Sequence, residues 1–221
     1  IEQARLLLIA ADWGPRVQDA SVFRELVQRS QLALVAVQDD HMQPTLESTR
    51  LCLRPFDVTD AGAVQRLAGD ERVARAAAAI PHPYPEGEAE RWISTHGEAF
   101  AARREVVFAV TLHERNELVG AISLFDLGEP HARGELGYWT GVEHWNRGYC
   151  TEAAARLIRY AHEELGVTKI VARCSAENLA SSRVMTKLGM KREGLLAKHA
   201  LKHGRFVDML VYGLILPGRG A

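Results

Sequence analysis

From Gly134 to Leu165 the sequence passes from an alternating strand, through a short loop containing Gly148, straight into a long amphipathic helix. This junction constrains the fold more than any other segment. A helix that starts directly after a strand presents unpaired backbone N–H groups and the positive end of its dipole at the strand's end. Gly148 lets that backbone approach a ligand closely, and Asn146 tolerates positive φ better than most residues. Arg147 adds a fixed positive charge. The loop Trp145 to Cys150, opening into a helix over Thr151–Leu165, therefore reads as a cradle for a diphosphate. It is not a Walker loop, because no Gly-Lys-Ser or Gly-Lys-Thr follows, and it lacks the G-x-G-x-x-G of dinucleotide folds. Taken alone, the same residues also describe a plain strand-to-helix turn.

The rest of the chain divides into strand and helix signals around this junction. Leu51, Leu53 and Phe56 alternate with polar residues as a strand, and Thr59 and Asp60 cap a helix reaching about Leu67. Asp70–Ala78 predicts a short helix, the proline-rich run 81–85 a loop, and Glu88–Arg103 one helix with Trp92, Ile93 and Phe100 toward the core. Val106–Leu112 and Leu118–Phe125 form a hairpin turned at Glu114–Asn116, and Gly134–Thr140 is the next strand. In the long helix Ala154, Leu157, Ile158 and Ala161 share one stripe. Lys169–Cys174 is a strand, Ser181–Leu188 a helix stopped by Gly189, and Gly194–Leu201 and Phe206–Leu216 are closing strands. The sum is an α+β domain over 45–221, with a mixed, mainly antiparallel central sheet flanked by helices. Residues 1–44 read as an N-terminal extension, with an amphipathic helix over Ser21–Val37, of which the apolar run Leu32–Val37 reads equally as a strand. The chain begins with Ile1, so Met42 as the natural start, an accessory segment, and a native extension packed on the domain all remain open.

The chain has 221 residues, 47% hydrophobic and 25% charged, which are globular proportions, and its net charge of -1 argues against a nucleic-acid binder. No apolar run approaches the roughly 18–20 residues that span a bilayer, and no membrane partner is expected. The expected compartment is the cytoplasm, where Cys52, Cys150 and Cys174, lacking any C-x-x-C, stay reduced. The nine histidines are scattered, and His199 and His203 straddle a strand and a turn, so no metal is expected. Cys150 at a helix start has no evident His–Asp partners for nucleophilic catalysis.

Four motifs in order resemble the GNAT N-acetyltransferases, and most closely their ribosomal-protein-alanine (RimJ/RimL-like) branch. Trp145, Gly148, Tyr149, Thr151, Glu152 and Ala153 match a W-G-x-G-Y-x-T-E-A pattern, with Asn146 in place of glycine and Cys150 in place of a smaller residue. Glu135 to Trp139 matches E-I/L-G-Y-W, and Glu177 to Ser181 matches E-N-x-x-S. Lys187 to Met190 matches K-L-G-F with methionine last, and Gly204 to Asp208 through Gly213 fits the closing hairpin. The likeness covers about Thr45 to Leu216.

The resemblance implies a GNAT-like acyl-CoA N-acyltransferase fold and acetyl-CoA as co-substrate. It implies contacts from Trp139, Thr140, Val142, Trp145, Asn146, Arg147, Gly148, Tyr149, Cys150, Thr151, Asn178 and Ser181. It points to Glu135 as the base that frees the amine, with burial raising its pKa. It points to Ser181 as proton donor to the thiolate, since Met185 stands where many relatives carry tyrosine. A backbone N–H between Trp139 and Val142 would hold the oxyanion. Tyr84, Trp92 and Tyr138 are candidates for the acceptor side. Each role has a plainer reading: Glu135 as a rim carboxylate that only orients substrate, or as one paired with Arg133 or Arg147, Ser181 as a helix N-cap, Asn178 as an Asx turn. The expected reaction is acetyl transfer to a primary amine, first a protein N-terminal α-amine. The alternatives are a small-molecule amine (amino acid, polyamine or antibiotic) and a non-catalytic acyl-CoA-binding module. Acidic residues at the acceptor mouth would favour a polycation. A monomer or homodimer is expected.

Overall fold

The computed structural model describes residues 42–77, 79–128, 132–202 and 204–218. The expectations for residues 1–41, including the Ser21–Val37 helix, lie outside the described residues. Eight strands form one sheet among them: β1 (Leu46–Glu47), β2 (Leu51–Arg54), β3 (Val106–Leu112), β4 (Leu118–Gly128), β5 (Arg133–Thr140), β6 (Lys169–Ser175), β7 (Lys191–Lys202) and β8 (Arg205–Ile215). Their order is β1-β2-β3-β4-β5-β6-β8-β7. Every neighbouring pair is antiparallel except β5 and β6, which are joined through a helix and run parallel. The sheet is thus mixed and mainly antiparallel, as the pattern of elements predicts.

Helices α1 (Ala61–Ala68), α2 (Glu71–Ala76), α3 (Glu88–Ser94), α4 (His96–Ala101), α5 (Tyr149–Glu163) and α6 (Leu179–Lys187) accompany the sheet. Alternation along β3 separates two cores. Val106, Phe108 and Val110 pack with Leu157, Ala154 and Ala161 of α5 and Met185 of α6. Ala109, on the other face, packs with Val64 and Leu67 of α1 and Ile93 of α3.

Several boundaries differ from the sequence expectations for identifiable reasons. Helix α5 starts two residues early, at Tyr149, because Gly148 takes φ 80 and serves as its N-cap. Helix α6 starts at Leu179 because the Asn178 side chain accepts the Ser181 N–H, so the cap is Asn178 and not Ser181. Asp60 does not cap α1. Asp57 and Asp60 form a capping box on the 3-10 turn Val58–Asp60, and the Asp60 carboxylate also takes both guanidinium nitrogens of Arg54 at 2.8 Å. The single helix expected over Glu88–Arg103 is two, α3 and α4, meeting at Thr95.

At that junction His96 is buried against Trp92 and Phe56, with ring centroids 4.5 and 5.5 Å away. Among the described residues neither ring nitrogen has a hydrogen-bond partner, and burial pulls its pKa down to about 4. The unfolded chain binds this proton below about pH 6.5 while the folded protein does not. Stability is therefore full above pH 6.5 and falls as the pH drops toward 4, by up to about 3 kcal/mol from this residue. Urea denaturation between pH 7 and 4 is expected to show this loss, and His96→Phe to remove most of it.

Candidate active site

The site begins where two strands stop pairing. β5 and β6 share only three rungs, Arg133↔Lys169, Gly134↔Ile170 and Glu135↔Val171. Beyond them β5 stays with β4 to Thr140, and β6 stays with β8 to Ser175. The gap between the separated strands holds a cavity of about 910 Å³, within the size range of small-molecule sites. Its walls include Cys150, Thr151 and Val184 on the α5–α6 face, and Val64, Tyr84 and Trp92 on the α1–α3 face. The cavity therefore passes through the sheet and opens to both sides.

Parting leaves backbone groups of β5 without a strand partner. The Gly141 N–H bonds Val119 O at 2.9 Å. By the alternation of an antiparallel ladder, the Trp139 amide also points to β4, and the Tyr138 and Thr140 amides point into the gap. The Thr140 carbonyl, turned the same way, is taken by the Trp145 indole N–H at 2.9 Å. Of the stretch from Trp139 to Val142, then, the Thr140 amide faces the cavity while that of Gly141 is committed elsewhere.

On the α5–α6 face the loop closes as a cradle. Asn146 (φ 59) and Gly148 (φ 80) both take the left-handed conformation. The first bond inside α5 runs from the Glu152 N–H to Gly148 O at 3.1 Å. The amides of Tyr149, Cys150 and Thr151 thus precede the helical ladder and are free to meet an anion. Trp145, Asn146, Gly148, Tyr149, Cys150 and Thr151 line the cavity; Val142 and Arg147 do not. Arg183 and Lys187 of α6 line the same wall. The Cys150 thiol donates to Thr140 Oγ1 at 3.8 Å, and burial pushes its pKa up to about 11, so it stays protonated and unreactive near neutrality.

Arg50, which sequence reasoning did not single out, fastens the cradle. Its guanidinium donates to Arg147 O at 3.0 Å, pairs with Glu152 at 2.7 Å and lies 4.8 Å from the centre of the Tyr149 ring. Glu152 also accepts from Ser48 Oγ and the Arg50 N–H, at 2.9 and 2.7 Å. These bonds hold its carboxyl below the usual range against the opposing effect of burial, the largest single influence on it.

Leu136 and Tyr138 face α5 and α6, whereas Glu135, Gly137 and Trp139 face α1 and α3. The Tyr138 hydroxyl lies 2.8 Å from Ser181 Oγ, and burial raises its phenol well above the usual range. Tyr138, expected on the acceptor side, is thus turned toward Ser181 instead. Met185 is fully buried beneath them. Asn178, besides capping α6, donates its amide to Ala76 O at 3.2 Å, tying α2 to the rim. Its carbonyl makes a helix cap, not an isolated Asx turn.

Glu135 is paired, but with Arg173 of β6 and not with Arg133 or Arg147. The bonds from Arg173 Nε and Nη2 measure 2.8 and 2.6 Å, one to each carboxylate oxygen. Arg133 instead pairs with Asp126. Each Glu135 oxygen keeps one lone pair beyond the guanidinium. Glu105 borders the same cavity one rung past Val106↔Leu124, in line with Phe125↔Glu135. Burial raises its carboxyl, and among the described residues no cation pairs with it. A charged residue at the mouth of an otherwise apolar strand was the available signal for Glu105. For Arg173 it was a second charge on the face of the strand that carries Lys169 and Val171.

An anion cradle on one face, joined through a split sheet to an aromatic-walled pocket on the other, lets two substrates meet from opposite sides. A sequence profile described as the acetyltransferase (GNAT) domain matches residues 50–191. The uncharacterized N-acetyltransferase YoaA of Bacillus subtilis (strain 168) is 29% identical over 176 residues, which cover 80% of this chain and 99% of YoaA. A GNAT-family acetyltransferase structure from Bacillus anthracis matches with a TM-score of 0.68 at 28% identity, covering 78% of this chain and 98% of its own. Mycobacterium smegmatis RimJ, solved in complex with CoA-disulfide, shares the fold with a TM-score of 0.72 at 21% identity, covering 79% of this chain and 88% of its own. The chain belongs to the GNAT acetyltransferase family. Within it, the protein is an N-acetyltransferase.

Removing the clamp is expected to loosen the cradle without touching the reacting groups. Arg50→Ala should raise the KM for the thioester substrate by about three- to tenfold and leave kcat within about twofold, as steady-state kinetics would show.

Proposed function

We propose that the protein transfers acetyl from acetyl-CoA directly to a primary amine, and that a protein N-terminal α-amine of the ribosomal-protein type is its acceptor. The observation that carries this reading is the through-sheet cavity, with the amides of Tyr149, Cys150 and Thr151 at one end and Tyr84 and Trp92 at the other. On this reading the cradle and the cations of Arg183 and Lys187 take the CoA phosphates, and the pantetheine arm lies in the gap between β5 and β6. The order of motifs supports the RimJ/RimL-like branch and its N-terminal acceptors.

The residues divide the chemistry. An α-amine with a pKa near 7.7–8.0 must shed its proton before attack. Glu135 takes that proton through water at the lone pairs that Arg173 leaves open, with Arg173 fixing the carboxylate's direction. The amine nitrogen bonds to the acetyl carbon, and the amides of Tyr138 and Thr140 hold the oxyanion. Collapse breaks the C–S bond, and the Ser181 hydroxyl supplies the thiolate's proton. The Tyr138 phenol, which stays protonated, hydrogen-bonds Ser181 Oγ and orients it, and the second proton that the amine nitrogen sheds passes through solvent to restore the serine hydroxyl.

Thiol release from acetyl-CoA, followed with alanyl peptides and small amines, tests the reading. Glu135→Gln is expected to lower kcat by about 10²-fold and Ser181→Ala by about 10- to 100-fold, with CoA affinity nearly unchanged. Tight CoA binding with no release for any amine would make the protein a non-catalytic acyl-CoA-binding module. Equal loss of turnover and CoA affinity in Glu135→Gln would remove Glu135 as the base.

A further inference from the structure

A second cavity, of about 520 Å³, adjoins the first where Ala76, Ser175, Asn178 and Lys202 border both. Its remaining charged wall is Arg72 and Arg75 of α2, Arg205 at the tip of the β7–β8 hairpin, and one carboxylate, Glu177. The annex is bounded by α2 on one side and by the turn before α6 on the other, and it opens into the main cavity at the shared residues.

The four cations are not equally committed. Arg72 and Arg75 are paired with Asp70 and Glu71 at 2.7 and 2.6 Å. Arg205 approaches Glu177 only to 3.8 Å. Lys202 forms no ion pair among the described residues, although it is partly buried at the seam between the two cavities. Its ammonium donates to Arg75 O at 2.9 Å, which uses one of three N–H donors and leaves two. Burial lowers its pKa, so the ammonium is held at a cost that an incoming anion would relieve. The charge of the combined space is graded. Glu105, without a cation partner among the described residues, lies at the vertex near Glu135, and Lys202 lies at the rim.

We infer that the annex is an anion subsite for the acceptor: the amine enters toward the vertex, and a carboxylate or phosphate on the same molecule seats on Lys202 and Arg205. This rests on the acetyl-transfer reading of the main cavity and narrows it to amines bearing an adjacent anion. A polyamine, cationic along its length, would meet the rim with like charge and is disfavoured.

The test uses the full chain and four C-terminally amidated dipeptides: alanyl-aspartate, alanyl-phosphoserine, alanyl-asparagine and alanyl-lysine. The kcat/KM for one or both anionic dipeptides is expected to exceed that for alanyl-asparagine by about tenfold. Which of the two leads distinguishes carboxylate from phosphate. Lys202→Met should remove the preference through KM, Arg205→Gln should reduce it, and Lys202→Arg should restore it, with the KM for acetyl-CoA unaltered. Equal kcat/KM across the panel, or a preference that survives Lys202→Met and Arg205→Gln together, overturns the inference while leaving acetyl transfer intact. Calorimetric binding of the same dipeptides to the CoA-loaded protein separates the two claims. Selective binding of the anionic dipeptides without turnover of any of them keeps the subsite and removes the acetyl-transfer reading. Binding without selectivity removes the subsite.

Discussion

The site depends on the failure of β5 and β6 to stay paired beyond Glu135↔Val171. Each strand is held on its other edge by a long antiparallel ladder, β5 to β4 and β6 to β8 over Lys169↔Ile215 to Ser175↔Met209. The two halves of the sheet keep their own registers and separate. Broken pairing inside a sheet ordinarily leaves costly unsatisfied backbone groups. Here the Trp145 indole takes one freed carbonyl, Thr140 O, and the freed amides of Tyr138 and Thr140 face the cavity, where the proposed function makes them donors to the oxyanion.

Both helices on the α5–α6 face begin at this opening, and both starts are built by backbone-directed contacts. Gly148 and Asn146 turn the chain so that the α5 amides face the gap, while Asn178 caps α6 and reaches across to Ala76. The cradle is further braced from β2 by Arg50 through Arg147 O and Glu152. The more heavily braced part of the site is therefore the cradle. The end lined by Tyr84, Trp92 and the 81–85 loop is made of short elements whose side chains set what can enter.

Much of this was legible in the chain, and the limits have physical causes. β3 has the bounds its apolar run predicts, and all four stripe residues of α5 are buried. Both rest on local pattern, a short apolar run in the first and helical periodicity in the second. The start of α6 was ambiguous because Asn178 and Ser181 are both good caps, and only the packed structure selects Asn178. The break between α3 and α4 was hidden because the helical pattern continues through Thr95; the seat of His96 against Trp92 is a tertiary effect. Partners distant in sequence were the least visible. Arg173 is 38 residues from Glu135, and Arg50 is 102 from Glu152. Neither pairing leaves a local trace, which is why Arg133 and Arg147, the near neighbours, looked like the natural partners of Glu135.

The gradient of charge along the cavity, from Glu105 and the Glu135–Arg173 pair at its vertex to Lys202 at its rim, matters only if the thioester carrier is anchored at the cradle. That anchoring is most directly tested by following backbone amide resonances of the protein during titration with CoA. The account predicts that Gly148, Tyr149, Cys150 and Thr151 show the largest shifts, and that 3′,5′-ADP, which lacks the diphosphate, reproduces them only weakly. Saturable CoA binding that leaves these four amides unmoved would contradict it.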